Sequence, residues 1–119
     1  YSRSKLANVL HARELARRLR GTGVTANSLH PGAVASGFGR DEDTVGAEAI
    51  LMTVAQPFLI SPAAGAATSV FLAMSPEVAD VSGEYFVRSK PARPSKAARD
   101  EGAAARLWDA SAQLVASSD

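Results

Sequence analysis

The hydrophobic and polar positions divide the chain into segments of different period. From residue 2 to residue 20 there is no Gly or Pro, and Ala, Leu and Arg dominate until Gly21-Thr22-Gly23, so this segment predicts one helix ended by a glycine in the left-handed cap conformation. VTANSLH (24–30) reads as a short strand stopped by Pro31-Gly32, and PGAVASGFGRDED is a loop too rich in Gly and charge to be regular. Thr44–Gln56 predicts a second helix, capped by Asp43 or Thr44. Ser61-Pro62 has the form of an N-cap followed by proline at the first helical position, opening a third helix that runs to Met74 and closes at Ser75-Pro76. GEYFV (83–87) is a strand by its aromatic and β-branched content, SKPARPSK an irregular basic link, and Ala97–Val115 a last helix.

The predicted order is thus helix, strand, helix, helix, strand, helix. Alternation of this kind predicts an α/β fold with parallel strands. Two short strands do not make a stable parallel sheet, which needs neighbours at its edges and cover on both faces, so the pattern implies more sheet than these residues supply. The chain opens on Tyr1 with no methionine before it, and the missing strands are expected ahead of that tyrosine. No internal repeat or low-complexity tract suggests another architecture.

On a helical projection of the first helix at about 100° per residue, Ala12, Leu15, Ala16 and Leu19 share one arc with Val9 at its margin. Tyr1 and Lys5 fall on that arc, which is expected to face protein. His11, Glu14 and Arg18 fall opposite it, and Leu6 and Leu10 form a second apolar strip suited to an oligomer interface or to helices outside this segment.

Composition changes the picture little. The chain has 119 residues, 46% of them hydrophobic and many of these Ala, which favours close helix packing over a bulky core. A formal charge of +1 gives no general reason to expect nucleic acid or an anionic membrane. Six Lys or Arg against one Glu within residues 1–20, and five basic residues within 88–99, raise a nucleic-acid face as an alternative. They are not interleaved with aromatics, as base stacking requires, and a solvated helix surface accounts for them. Zero cysteines exclude disulfides and thiolate metal sites without assigning a compartment. The most apolar stretch, Ala47–Ile60, contains Glu48, Gln56 and Pro57 and falls short of the ~20 residues a membrane span needs.

The candidate chemistry is the pair Tyr1 and Lys5, four residues apart. One reading is structural: a core tyrosine with its hydroxyl satisfied and a lysine extended toward solvent. The other is that the ammonium makes the phenol a usable acid or base. Bringing a tyrosine from ~10 toward ~7 requires about 4 kcal/mol. One cation at about 5 Å in an effective dielectric of ~20 supplies roughly 3 kcal/mol, and a second positive charge covers the remainder. Ser2-x-x-Lys5 also satisfies the serine acyl-transferase pattern, but its partners Ser-Asp-Asn and Lys-Thr-Gly do not occur in the chain.

YSRSK matches the Tyr-x-x-x-Lys signature of the short-chain dehydrogenase/reductase family, and KLANVLHARELARRLRGTGVTANSLHPG resembles its retinol dehydrogenase-like branch. PGAVAS resembles the family's Pro-Gly-x-x-x-Thr cofactor loop, SPAAGAATSVFLAMSPEVADVSGEYFV its next helix and last strand, and RPSKAARDEGAAARLWDAS its C-terminal helix. The resemblance implies a fold: residues 1–119 are the C-terminal half of a single NAD(P)-binding domain, the C-terminal portion of a Rossmann-type doubly wound parallel sheet. It also implies an alcohol and carbonyl oxidoreductase using NAD or NADP, with Tyr1 as proton donor and acceptor and Lys5 lowering its pKa and bonding the nicotinamide ribose. Pro31 and Gly32 would shape the turn that reaches the nicotinamide, Val34 would pack near its carboxamide, and Ser36 stands where the family usually has threonine. Asn27 and His30 fit the pattern but are explained by backbone bonding and by a position before proline. Residues 38–59, with Ile50, Leu51, Val54 and Phe58, would cover a small lipophilic substrate, although core packing explains the same side chains. No metal is implied, and the intact protein of such a family is often a homo-oligomer. The family's glycine-rich phosphate turn, ribose selector and catalytic serine lie ahead of the tyrosine, and neither G-x-x-x-G-x-G nor G-x-G-x-x-G occurs here. A catalytically incompetent segment or a non-enzymatic binding module is therefore the competing expectation.

Overall fold

The computed structural model describes residues 2–32 and 61–117. Tyr1, Val34, Ser36, the loop after Gly32, the helix expected over 44–56, the apolar stretch 47–60 and the substrate cover expected over 38–59 lie outside the described residues.

Within them the elements are α1 (Ser2–Arg18), β1 (Ser28–His30), α2 (Pro62–Met74), β2 (Tyr85–Val87), β3 (Lys90–Pro91) and α3 (Glu101–Ala116). Helix α1 stops where the sequence predicts, with Gly21 at φ 80° and the Thr22 hydroxyl donating to the Leu19 carbonyl. The α2 start is also as read: Ser61 Oγ accepts from the Ala64 N–H at 3.2 Å, with Pro62 at the first position. Its end is fixed by Ser75, whose N–H donates to the Phe71 carbonyl and whose hydroxyl caps a short 3₁₀ turn, Pro76–Val78. The last helix is interrupted at its start, where a 3₁₀ turn over Ala97–Arg99 precedes Asp100, which caps α3 through the Ala103 N–H at 2.9 Å.

β1 and β2 run parallel, with Ser28 opposite Tyr85, Leu29 opposite Phe86 and His30 opposite Val87. The mixed α/β architecture and the parallel pairing are those the alternation predicts. Two details differ. First, β1 is shorter than the expected 24–30, because residues 26–28 are tied to 82–84 partly by side chains: Ala26 N–H donates to Ser82 Oγ, and Glu84 N–H donates to Asn27 Oδ1. Second, the link expected to be irregular contains β3, antiparallel to β2, so the sheet has three strands in the order β1-β2-β3. A hairpin turn at Arg88 and Ser89, both with positive φ (51° and 59°), makes this return.

Phe86 on the central strand is the largest fully buried side chain, 1% exposed, and it tilts against Phe71 of α2 with ring centroids 6.3 Å apart. Its burial stabilises by about 1.5–3 kcal/mol. Helix α1 packs on α3, and the buried side chains Ala16, Ala98 and Ala104 are small, which is the close packing that the alanine content predicts.

The projection of α1 needs correction on its polar side. Glu14, expected opposite the core, is buried (3% exposed), and His11 and Arg18 lie against Trp108 of α3. The helix has protein on two sides, and Arg17 and Arg18 neutralise the charge that the projection takes as a mark of solvent. Leu10 is likewise buried within this chain and is not free to form an oligomer interface.

Candidate functional site

Lys5, Asn8, Val9 and Ala12 recur at helical spacing along the first half of α1, and this stripe forms one wall of a cleft of about 660 Å³. The other wall is Asn27–Gly32 with Tyr85. The cleft opens where the parallel strands β1 and β2 end, and crevices at the carboxyl ends of strands are where open α/β sheets hold ligands.

Each element has a local reason to be there. Asn27 fixes the approach to β1, its Nδ2 donating to the Val81 carbonyl at 2.7 Å and its Oδ1 accepting from Glu84 N–H at 3.0 Å. After β1 the chain turns at Pro31-Gly32, with Gly32 at φ 89°, a conformation that an L side chain adopts only under strain. The Gly32 N–H donates to His30 Nδ1 at 2.9 Å. Pro31 has no N–H, so Gly32 carries the first backbone donor after the strand.

Of the predicted site residues, Lys5, Pro31 and Gly32 are brought together along this one cleft. Lys5 is solvent-exposed at its wall, not enclosed by protein as its place on the core arc suggested. Sequence reasoning missed Asn8 and Tyr85 as lining residues; Asn8 was legible, since it lies one turn along α1 from Lys5. Asn27 proves to be the backbone-bonded asparagine that its bland reading described. Among the described residues no group of His, Asp or Glu is arranged to hold a metal ion, and no helix is long and apolar enough to cross a membrane.

A second cleft, of about 590 Å³, lies farther along α1, between Arg13, Arg17 and Arg20 and the acidic side chains of Asp80, Glu84 and Glu101. Glu14 on its wall is held at a pKa of about 2 by the Arg17 hydrogen bond, against desolvation and with help from Arg18. None of the predicted chemistry falls in it.

Comparison with known proteins finds relatives of one kind. Human retinol dehydrogenase 14 is 48% identical over 116 residues. The chain is homologous to the short-chain dehydrogenase/reductases of the retinol dehydrogenase branch. Human retinol dehydrogenase 13 is 45% identical over 118 residues and mouse retinol dehydrogenase 12 is 42% identical over 115. Each alignment covers 97% of this chain. The chain spans about a third of the length of these relatives, 34% of the first, 36% of the second and 35% of the third. No family model matches the chain. The mixed α/β fold matches a part of the Rossmann-type fold that the resemblance implies, and the similarity read from YSRSK and the segments after it extends over 97% of the chain.

Proposed function

We propose that this chain is the C-terminal half of the single NAD(P)-binding domain of an oxidoreductase that interconverts an alcohol and a carbonyl on a small lipophilic substrate. The observation that carries the reading is the meeting of Lys5, Pro31 and Gly32 in one cleft at the carboxyl ends of parallel strands, in a chain whose relatives are named retinol dehydrogenases. The lipophilic character of the substrate rests on those names and on the apolar residues Ile50, Leu51, Val54 and Phe58.

The cleft suits the nicotinamide end of NAD or NADP: the left-handed glycine leaves backbone without a side chain at its rim, and a lysine and a helix N-terminus favour electron-rich oxygens. Lys5 would hold the ribose hydroxyls, Pro31 and Gly32 would bring backbone to the ring, and Val34 and Ser36 would contact the carboxamide. When bound, the nicotinamide gives or takes the hydride. Tyr1 gives the proton to the carbonyl oxygen in reduction and takes it from the hydroxyl in oxidation. Lys5 stabilises the phenolate between these events. The phosphate turn, the selector between NAD and NADP and the catalytic serine belong to residues ahead of Tyr1.

The test is Tyr1→Phe in the full-length protein. Turnover should fall to a small fraction of the wild-type rate with cofactor affinity nearly unchanged, and retention of the rate would remove Tyr1 from the mechanism. Residues 1–119 alone should show no saturable heat of binding with either NADH or NADPH.

A further inference from the structure

The hydrogen bond from the Gly32 N–H to His30 Nδ1, 2.9 Å long, is a chemical statement about His30. A backbone N–H can be accepted only by an unprotonated ring nitrogen, so the imidazole in this arrangement is neutral and carries its proton on Nε2. The bond spans two residues, the same reach as the turns in which an Asn or Asp side chain accepts from the N–H two positions on. It is also the one bond described for the Gly32 N–H, since Pro31 between them has no N–H and the ladder between β1 and β2 ends at His30 and Val87.

We propose that His30 is a positioning residue: its neutral imidazole clasps the Pro31-Gly32 turn, and protonation of Nδ1 opens the clasp. An imidazolium has only donors to offer, so it turns an attraction for the Gly32 N–H into a repulsion. The Gly32 backbone, at φ 89°, then loses the contact that holds it in that conformation. Its consequence for the cofactor rests on the reading of the cleft given above: an open turn would present the backbone at Gly32 less well, and affinity for the nicotinamide end would fall once Nδ1 is protonated.

Other ionisable groups share its surroundings: Lys5 of α1 and Tyr85 of β2 line the same cleft as His30, and Arg88 follows Val87, the residue paired with His30. A substitution that keeps all three and removes only the titrating acceptor separates their effects from that of His30. Asparagine does this, because its side-chain carbonyl accepts across two residues and does not ionise.

Two readouts test the proposal in full-length wild type, His30→Asn and His30→Ala. The first needs no cofactor: the Gly32 amide proton resonance, followed by nuclear magnetic resonance between pH 8 and 5, should move with the same midpoint as the His30 ring protons in wild type, and should not titrate in either variant. The second is the dissociation constant for NADH and NADPH. Wild type should weaken about five- to tenfold toward acid, the equivalent of one hydrogen bond. His30→Asn should stay tight at every pH, and His30→Ala should be weak at every pH. A Gly32 resonance indifferent to the titration of His30, or His30→Ala with wild-type affinity throughout, overturns the clasp. If the resonance titrates as expected while neither nucleotide binds at any pH, the clasp stands and the assignment of the cleft to a nicotinamide cofactor falls.

Discussion

His11 of α1 lies nearly flat on Trp108 of α3, with ring centroids 5.1 Å apart and planes inclined by 16°. Arg18, two turns farther along α1, places its guanidinium carbon 4.6 Å from the same indole ring and reaches Asp109 at 3.5 Å. One aromatic side chain therefore joins the two helices through a stacked ring and a cation. The stacked pair is worth about 0.5–1.5 kcal/mol beyond its buried area and the cation about 0.5–1 kcal/mol at an exposed site. Trp108→Ala should lower the unfolding free energy by roughly 1–3 kcal/mol, and Trp108→Phe by less, since a ring for stacking is retained. Urea unfolding followed by circular dichroism measures both. Equal stability of Trp108→Ala and wild type would mean that the α1–α3 contact does not depend on this ring.

Glu14 supplies a pH dependence whose sign is fixed. Its carboxylate is gripped by Arg17 at 2.7 and 2.8 Å and by Arg18 at 2.7 Å, and its pKa is lowered from 4.5 to about 2, chiefly by the Arg17 hydrogen bond. A group whose folded pKa is depressed stabilises the folded state above its unfolded pKa, and that stabilisation is lost as pH falls through the folded value. The contribution of Glu14 should therefore be complete at neutral pH, decline below about pH 4.5 and vanish near pH 2. Glu14→Gln should melt at a lower temperature than wild type at neutral pH, and the gap should close across that window. A gap that stays constant down to pH 2 would show that the interaction is not one of charge.

The hairpin between β2 and β3 carries two non-glycine residues in the left-handed region, Arg88 and Ser89, and the Ser89 N–H donates at 3.0 Å to Oγ1 of Thr68, itself only 3% exposed. Ser89→Gly should stabilise by about 0.5–1 kcal/mol through relief of the left-handed conformation. Thr68→Val keeps the shape and removes the acceptor, and should destabilise by about 1–3 kcal/mol by leaving the Ser89 N–H unpaired. Chemical denaturation of the two variants checks both signs. Opposite signs from neighbouring contacts at one turn are the outcome that other accounts do not give.

The parts of this fold legible in the sequence are those decided within a few residues. Gly21 after an unbroken helical run, Ser61-Pro62 before one and the apolar centre of GEYFV each place an element through a local rule, and each element is found there. β3 was not legible because Lys90 and Pro91 have no strand character; they pair with β2 because the turn at Arg88 and Ser89 aims them there. Glu14 was misread for a related reason. Its burial depends on α3 arriving from about ninety positions away in sequence, as the Arg18–Asp109 contact shows with a separation of 91. Within the site, Lys5, Pro31 and Gly32 were found through their family pattern, whereas Tyr85 enters the cleft only because β2 lies beside β1.

Gly32→Ala in the full-length protein probes the cleft most directly. At φ 89° an added Cβ costs about 1–2 kcal/mol of backbone strain if the turn keeps its shape. Relaxation toward negative φ avoids that cost and changes the path of the backbone at Gly32. Either way the nicotinamide end should be held less well, with cofactor dissociation constants rising about five- to thirtyfold if that strain falls wholly on the bound state. The melting temperature of the cofactor-free protein should fall only by what that strain costs, since Pro31 is exposed and Gly32 lies two residues beyond β1. Lys5→Met is the matching change on the opposite wall: it keeps the aliphatic stem and removes the charge, so under the proposed mechanism it should weaken cofactor binding and also slow the proton transfer assigned there to Tyr1. Measured together by calorimetry and by single-turnover kinetics, the two variants should differ in kind. Gly32→Ala should lose affinity with its single-turnover rate at saturating cofactor preserved, and Lys5→Met should lose both. A Lys5→Met enzyme that binds weakly but turns over at the wild-type single-turnover rate would restrict Lys5 to holding the ribose and leave the activation of Tyr1 to another group.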